Sequence, residues 1–130
     1  MKKHRELAAA LLDKAAQDES LLDAVINMES VADEIFGFHA QQAMEKLLKG
    51  LLSFHNIRFG RVHNLRVLMD QLADATFPLP SDLQKIDVLT PYSVTFRYEA
   101  LPFNNPLSRR EMRDLVRQTR EWVESEMTAH

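Results

Sequence analysis

The sequence predicts an all-α protein, an up-and-down antiparallel bundle of four main helices plus one or two short helices. Three observations predict it. Apolar residues recur at three- and four-residue spacing through most of the chain. Only 3 glycines and 5 prolines interrupt 130 residues, which favours long helices over many short strands. Side chains suited to helix N-caps precede several of the periodic stretches. With 45% hydrophobic and 27% charged residues, the composition suits one domain over 1–130 with a real core.

The first helix is expected over 4–17, where Leu7, Ala8, Leu11, Leu12 and Ala15 form an apolar stripe. Ser20, three residues before Asp23, predicts the cap of a separate short segment ending near Asn27. Ser30, three before Asp33, predicts the cap of a long helix over 31–55. In that helix Phe36, Ala40, Ala43, Leu47, Leu51 and Phe54 share one sector, and Met44 and Leu48 widen it. Residues 56–63 read as a loop with Gly60 as its flexible point. Asn64 caps a helix carrying Leu65, Leu68, Met69 and Leu72, which ends before Phe77-Pro78-Leu79-Pro80. Ser81 and Gln84 have capping-box spacing and open a short helix. Thr90-Pro91 reads as an N-cap with proline at the first helical position, ahead of Tyr92, Val94, Arg97 and Tyr98. Ser108 and Glu111 form a second capping box before the last helix, whose stripe is Met112, Leu115, Val116, Thr119, Trp122 and Val123.

Composition narrows the chemistry. The chain has no cysteine, so disulfides, thiolate nucleophiles and zinc-thiolate sites are excluded. The apolar run Leu7 to Leu12 stops at Asp13, too short for a signal peptide, and nothing approaches the ~20 apolar residues of a membrane span. A cytoplasmic protein with no membrane partner is expected. Net charge is −3, which is not a nucleic-acid-binding composition as a whole. The charge is uneven, however. Between Glu45 and Asp70 there is no acid, while Lys46, Lys49, Arg58, Arg61 and Arg66 contribute five positive charges. The rest of the chain therefore carries eight net negative charges. A basic island of this kind favours an anionic ligand or partner.

Arg58, Arg61 and His63 cluster on the loop that feeds the Asn64-capped helix. Outward backbone amides at that helix start, guanidinium forks and an imidazole suit phosphate. The plain alternative is a solvated basic turn with a packing histidine. Arg58-x4-His63 also fits metal-free RNA cleavage, with His63 moving a proton and Arg58 stabilising an oxyanion. Arg97 and Tyr98 could meet a ligand, or equally cap and pack their own helix. Arg109, Arg113, Arg117 and Arg120 run down the last helix, interleaved with Glu111, Asp114, Glu121 and Glu124, and read as a solvated face. Trp122 reads as core. His39 and His55 have no carboxylate or second histidine at helical ligand spacing, so neither a metal site nor a cofactor is expected.

Two separated motifs resemble those of the HEPN domain family. The run Ala40-Gln41-Gln42-Ala43-Met44-Glu45-Lys46-Leu47-Leu48-Lys49-Gly50-Leu51-Leu52, then His63-Asn64-Leu65, is similar to a pattern A-Q-Q-A-x-E-K-x-x-K-x-L-L followed by H-D-L. Further on, Leu89 to Glu99 is similar to L-x-x-Y-x-x-x-x-R-Y-P, with Glu99 in the last place. The resemblance covers about 30–125. It implies a bundle of four or five helices, commonly a homodimer, associated with nucleotides or RNA. Many such proteins are encoded beside a minimal nucleotidyltransferase in a toxin–antitoxin-like pair, and other branches are metal-independent ribonucleases with an R-x4-6-H motif. Asn64 stands where this branch has aspartate, which keeps a capping side chain and removes a charge. Phe59 follows the arginine where the ribonuclease branches usually have a polar residue.

The first functional expectation is a non-catalytic partner of a minimal nucleotidyltransferase. It would hold a nucleotide or RNA phosphate with Lys46, Lys49, Arg58, Arg61, His63 and Arg97, with the Tyr98 ring against a base. The alternative is a metal-independent endoribonuclease toxin using Arg58 and His63. A third reading is an interaction module that needs no ligand.

Overall fold

A computed structural model describes residues 2–93 and 107–129. Among these the protein is helical and has no strand. The elements are α1 (Lys2–Val25), α2 (Asp33–Phe54), α3 (Leu65–Asp74), a 3-10 helix (Ser81–Leu89) and α4 (Arg109–Thr128).

α2 is the centre, and α1, α3, α4 and the 3-10 helix all pack on it. Its stripe is wide enough to face several neighbours at once. Ala40, Ala43, Met44, Leu47, Leu48, Leu51 and Leu52 are all fully buried. Burying a leucine side chain stabilises by ~1.5–3 kcal/mol, so this one helix supplies much of the hydrophobic driving force. Two glycines let neighbours approach it. The Tyr92 ring lies over Gly37, and Leu12 of α1 lies over Gly50.

α1 runs antiparallel to α2. His4 near its start meets Ser53 near the end of α2, while Asp18 further along meets His39 and Lys46. α4 in turn runs antiparallel to α1, since Arg113 holds Asp23 and Arg120 holds Glu19. The return from the end of α2 is made by the 56–63 segment. It travels back along α2 until His63 lies beside Gln41 and Glu45. α3 then leads away again, and Phe77 beyond it stacks on His55 with ring centroids 4.0 Å apart.

Several local expectations are corrected. The break at Ser20 does not exist: α1 is one helix through Val25, and Ser20 is an exposed interior residue. No glycine or proline interrupts it, and Leu22 prolongs the buried line of Ala8 and Ala15 at seven-residue steps. Ser30 is not the cap of α2, which starts after Ala32 with no side-chain cap. The turn before it is held from outside by Arg109 of α4. That guanidinium donates to the carbonyls of Val25, Ile26, Met28 and Val31 and to the Asp33 carboxylate. The Ser81–Gln84 box is absent as well. Pro80 precedes the 3-10 helix, and the Gln84 amide donates to the Leu79 carbonyl instead. Asn64 and the Ser108–Glu111 capping box are as expected.

The last helix does not carry a solvated arginine face. Arg113 and Arg120 close on Glu19, which is 5% exposed, and Arg113 also takes Asp23. The Arg113 hydrogen bond holds Asp23 below its ordinary pKa, and the same bond raises Arg113. Arg117 meets Asp114 and Glu121 on its own helix. Trp122 packs against the core. The expected helix beyond Thr90 runs into residues outside those described, although Tyr92 itself is core.

Candidate functional site

The 56–63 segment alternates. Ile57, Phe59 and Val62 pack against the core, while Arg58, Arg61 and His63 are exposed. An extended chain puts successive side chains on opposite sides. Gly60 adopts φ +67°, a left-handed conformation that costs glycine little, and there the alternation shifts by one residue. That shift keeps both Phe59 and Val62 inward, with Arg61 and His63 outward.

The middle of α2 and this segment are joined through one buried carboxylate. Glu45 is 6% exposed, and its oxygens accept from Lys49 at 2.8 Å and from Gln41 at 3.0 Å. His63 Nδ1 lies 3.1 Å from both of them. Gln41, fully buried, also donates to the His63 carbonyl and accepts from Gln42. Helical geometry explains the set, because residues 41, 45 and 49 sit at i, i+4, i+8 on one face. Burial alone raises the Glu45 pKa. The Lys49 and Gln41 hydrogen bonds, the Lys49 charge and the His63 contact outweigh it, and the group ends below its ordinary 4.5. The carboxylate therefore stays ionised and fastens the loop. Lys49 also lies over the Phe59 ring, 5.4 Å from its centroid.

Each expected site residue can now be placed. Lys46 is paired with Asp18 at 2.6 Å, Lys49 and His63 with Glu45. Arg66 is held by Asp87 and Gln84. These acids come from residues 18, 45 and 87, so Lys46, Lys49 and Arg66 of the acid-free stretch are neutralised in space. Arg58 and Arg61 differ: both are exposed and neither has an ion pair among the described residues. Arg97 and Tyr98 lie outside the described residues. The open amides expected at the start of α3 are also accounted for. Arg66 and Val67 donate to the Asn64 side chain, and Leu65 donates to the Thr90 hydroxyl. An anion there meets side chains, because three of the helix's first amides are already satisfied.

His39 has a carboxylate partner after all, Asp18 at 3.1 Å. It comes from another helix, which spacing along α2 could not reveal. The described residues contain no group of three or more side chains able to hold a metal ion, and no helix among them is long and apolar enough to cross a membrane.

The quoted motif residues thus have structural work in common: they build the Glu45 network, cap α3 and supply Leu89 and Tyr92 to the core. The chain matches the HEPN domain family over residues 8–127.

It belongs to the HEPN domain family.

No curated protein and no solved structure matches it. Membership supports a nucleotide- or RNA-related function for this HEPN protein. Sequence reasoning missed the role of Gln41 and Glu45 as the loop's anchor. The signal was present in their spacing with Lys49, but not in any feature that named His63 as the partner.

Proposed function

We propose that this HEPN protein is a non-catalytic, phosphate-binding partner of a minimal nucleotidyltransferase in a toxin–antitoxin-like pair. It holds a nucleotide, or the nucleotide-bearing end of its partner, on the 56–63 segment. The observation that carries the reading is the pair Arg58 and Arg61. They are two exposed guanidiniums with no carboxylate partner among the described residues, on backbone fixed by inward apolar residues and by Glu45. Lys49 and His63 belong to the support, since both meet Glu45, and Lys46 is taken up by Asp18 of α1. A fixed guanidinium loses less freedom when it meets phosphate than a mobile one does.

The test is calorimetric titration of nucleoside triphosphate into wild type and the Arg58→Ala/Arg61→Ala double variant. A charged hydrogen bond contributes about 1.5–3 kcal/mol, so removing two should weaken binding by roughly 100-fold or more. The melting temperature should stay unchanged, since neither side chain is buried. Equal affinity in both proteins would overturn the reading. Co-purification with a neighbouring nucleotidyltransferase tests the partner directly.

One observation favours a second reading, a metal-independent endoribonuclease. His63 has a 63% exposed side chain whose Nδ1 is held by Glu45, leaving its other ring nitrogen for substrate, and Arg58 is on the same segment. Carboxylate–imidazole pairs orient general bases in this way. RNA cleavage in EDTA that is lost in His63→Ala would establish it, and RNA left intact by wild type would rule it out.

A further inference from the structure

We propose that the groove between the first turns of α1 and the 56–60 segment holds the base of the nucleotide whose phosphates rest on Arg58. This rests on the phosphate-binding reading above and adds where the rest of the ligand lies. The groove has a volume of about 360 Å³, and Leu7, Ile57, Phe59 and Arg58 contribute to its lining. That is at the small end of the ~300–1,000 Å³ usual for small-molecule sites.

Its two walls are bolted together. His4 Nδ1 lies 3.0 Å from the Ser53 carbonyl, and the Ser53 hydroxyl donates to the His4 carbonyl at 2.7 Å. The cleft therefore exists before a ligand arrives. Leu7 remains 48% exposed at its edge, although its stripe neighbours Ala8 and Ala15 are buried. Gly60 leaves open space, since a side chain there would meet nothing within 4 Å.

The lining specifies a kind of molecule. Apolar walls favour a flat or apolar body. Arg58 adds to the same groove a positive charge with no ion pair among the described residues, which calls for an anionic end on that body. Asn56, held at φ +58°, lines the groove too, and its side-chain amide makes no hydrogen bond among the described residues. An amide offers both donors and an acceptor, as the polar edge of a heteroaromatic ring requires. Apolar walls, one amide and one guanidinium together match a base carrying phosphate better than a simple aliphatic anion. Arg5, next in sequence to the groove-lining His4, lies over the Phe54 ring at 4.1 Å.

The experiment uses the full chain, with ATP and inorganic tripolyphosphate as separate probes. Leu7→Ser should weaken ATP binding about tenfold, the scale of losing one partly buried leucine contact, and leave tripolyphosphate binding unchanged. Leu7→Phe, which keeps an apolar wall, should bind ATP as wild type does. Arg58→Ala should weaken both probes. If Leu7→Ser binds ATP as wild type does while Arg58→Ala still weakens it, the groove proposal fails and the phosphate site stands. Equal loss of both probes in Leu7→Ser also overturns it. If neither probe depends on Arg58 and Arg61, or neither binds, the phosphate reading fails and the groove proposal falls with it.

Discussion

Replacing Glu45 by glutamine should be among the most damaging single changes in this protein. The substitution keeps the shape and removes the charge. Glu45 and Lys49 side chains are only 7% and 11% exposed, so Lys49 would be left as a nearly buried cation. Removing one partner of a buried pair costs about 3–5 kcal/mol, against a total stability of roughly 5–15 kcal/mol for a domain. The same change weakens the contact to His63 and loosens the 56–63 segment. With a urea m-value of ~2 kcal/mol/M, the unfolding midpoint should fall by about 1.5–2.5 M. Urea titration of Glu45→Gln, Lys49→Met and the double variant forms a cycle. The double variant should be less damaged than the sum of the singles, with a coupling of about 1.5–3 kcal/mol. A loss below about 1 kcal/mol for Glu45→Gln, or additivity within ~0.5 kcal/mol, would refute the buried network. It would mean that Lys49 simply turns to water.

Acid should expose the same carboxylate. The folded pKa of Glu45 lies below its ordinary 4.5, so the stability it contributes is complete above that value and is lost as pH falls through the folded pKa. Asp23, lowered by Arg113, acts with the same sign. Melting temperature measured from pH 6 down to about 3 should therefore fall, and fall less steeply in Glu45→Gln. Gly37→Ala should destabilise by about 1–2 kcal/mol, because the new methyl would stand 2.3 Å from the buried Tyr92 ring, beyond what the gain in helix propensity offsets. Gly50→Ala should be milder in the same melt, since its closest contact is the far end of the half-buried Leu12 side chain, which can turn aside. Arg109→Lys should cost about 1–3 kcal/mol in urea unfolding, because a lysine cannot reach four carbonyls and a carboxylate as the guanidinium fork does. Arg110→Lys, an exposed neighbour, is the control and should change nothing measurable.

The helices were legible wherever the signal was local. The α2 stripe, the Asn64 cap and the Ser108–Glu111 box depend on residues within a turn or two, and each is found as spelled. Ser20, Ser30 and Ser81 show the limit of local spelling. A serine three residues before an acid or glutamine fits a cap, but it does not create one where the backbone has other partners. The turn before α2 is held by Arg109, from 76 residues downstream of Asp33. The HEPN motifs were equally legible as letters, yet their letters say little about which atoms meet.

What the sequence by itself determined is the helical class, the central place of α2 and the family, because periodicity, capping and motif order are properties of neighbours along the chain. Only the tertiary structure decided which cations are available. Lys46, Lys49, Arg58, Arg61 and His63 look alike as a run without an intervening acid. Folding brings Asp18 against Lys46 and turns Glu45 inward against Lys49 and His63, leaving Arg58 and Arg61 without such partners among the described residues. Coulomb energy depends on distance through space, and residues 18 and 46 become neighbours only when two antiparallel helices pack.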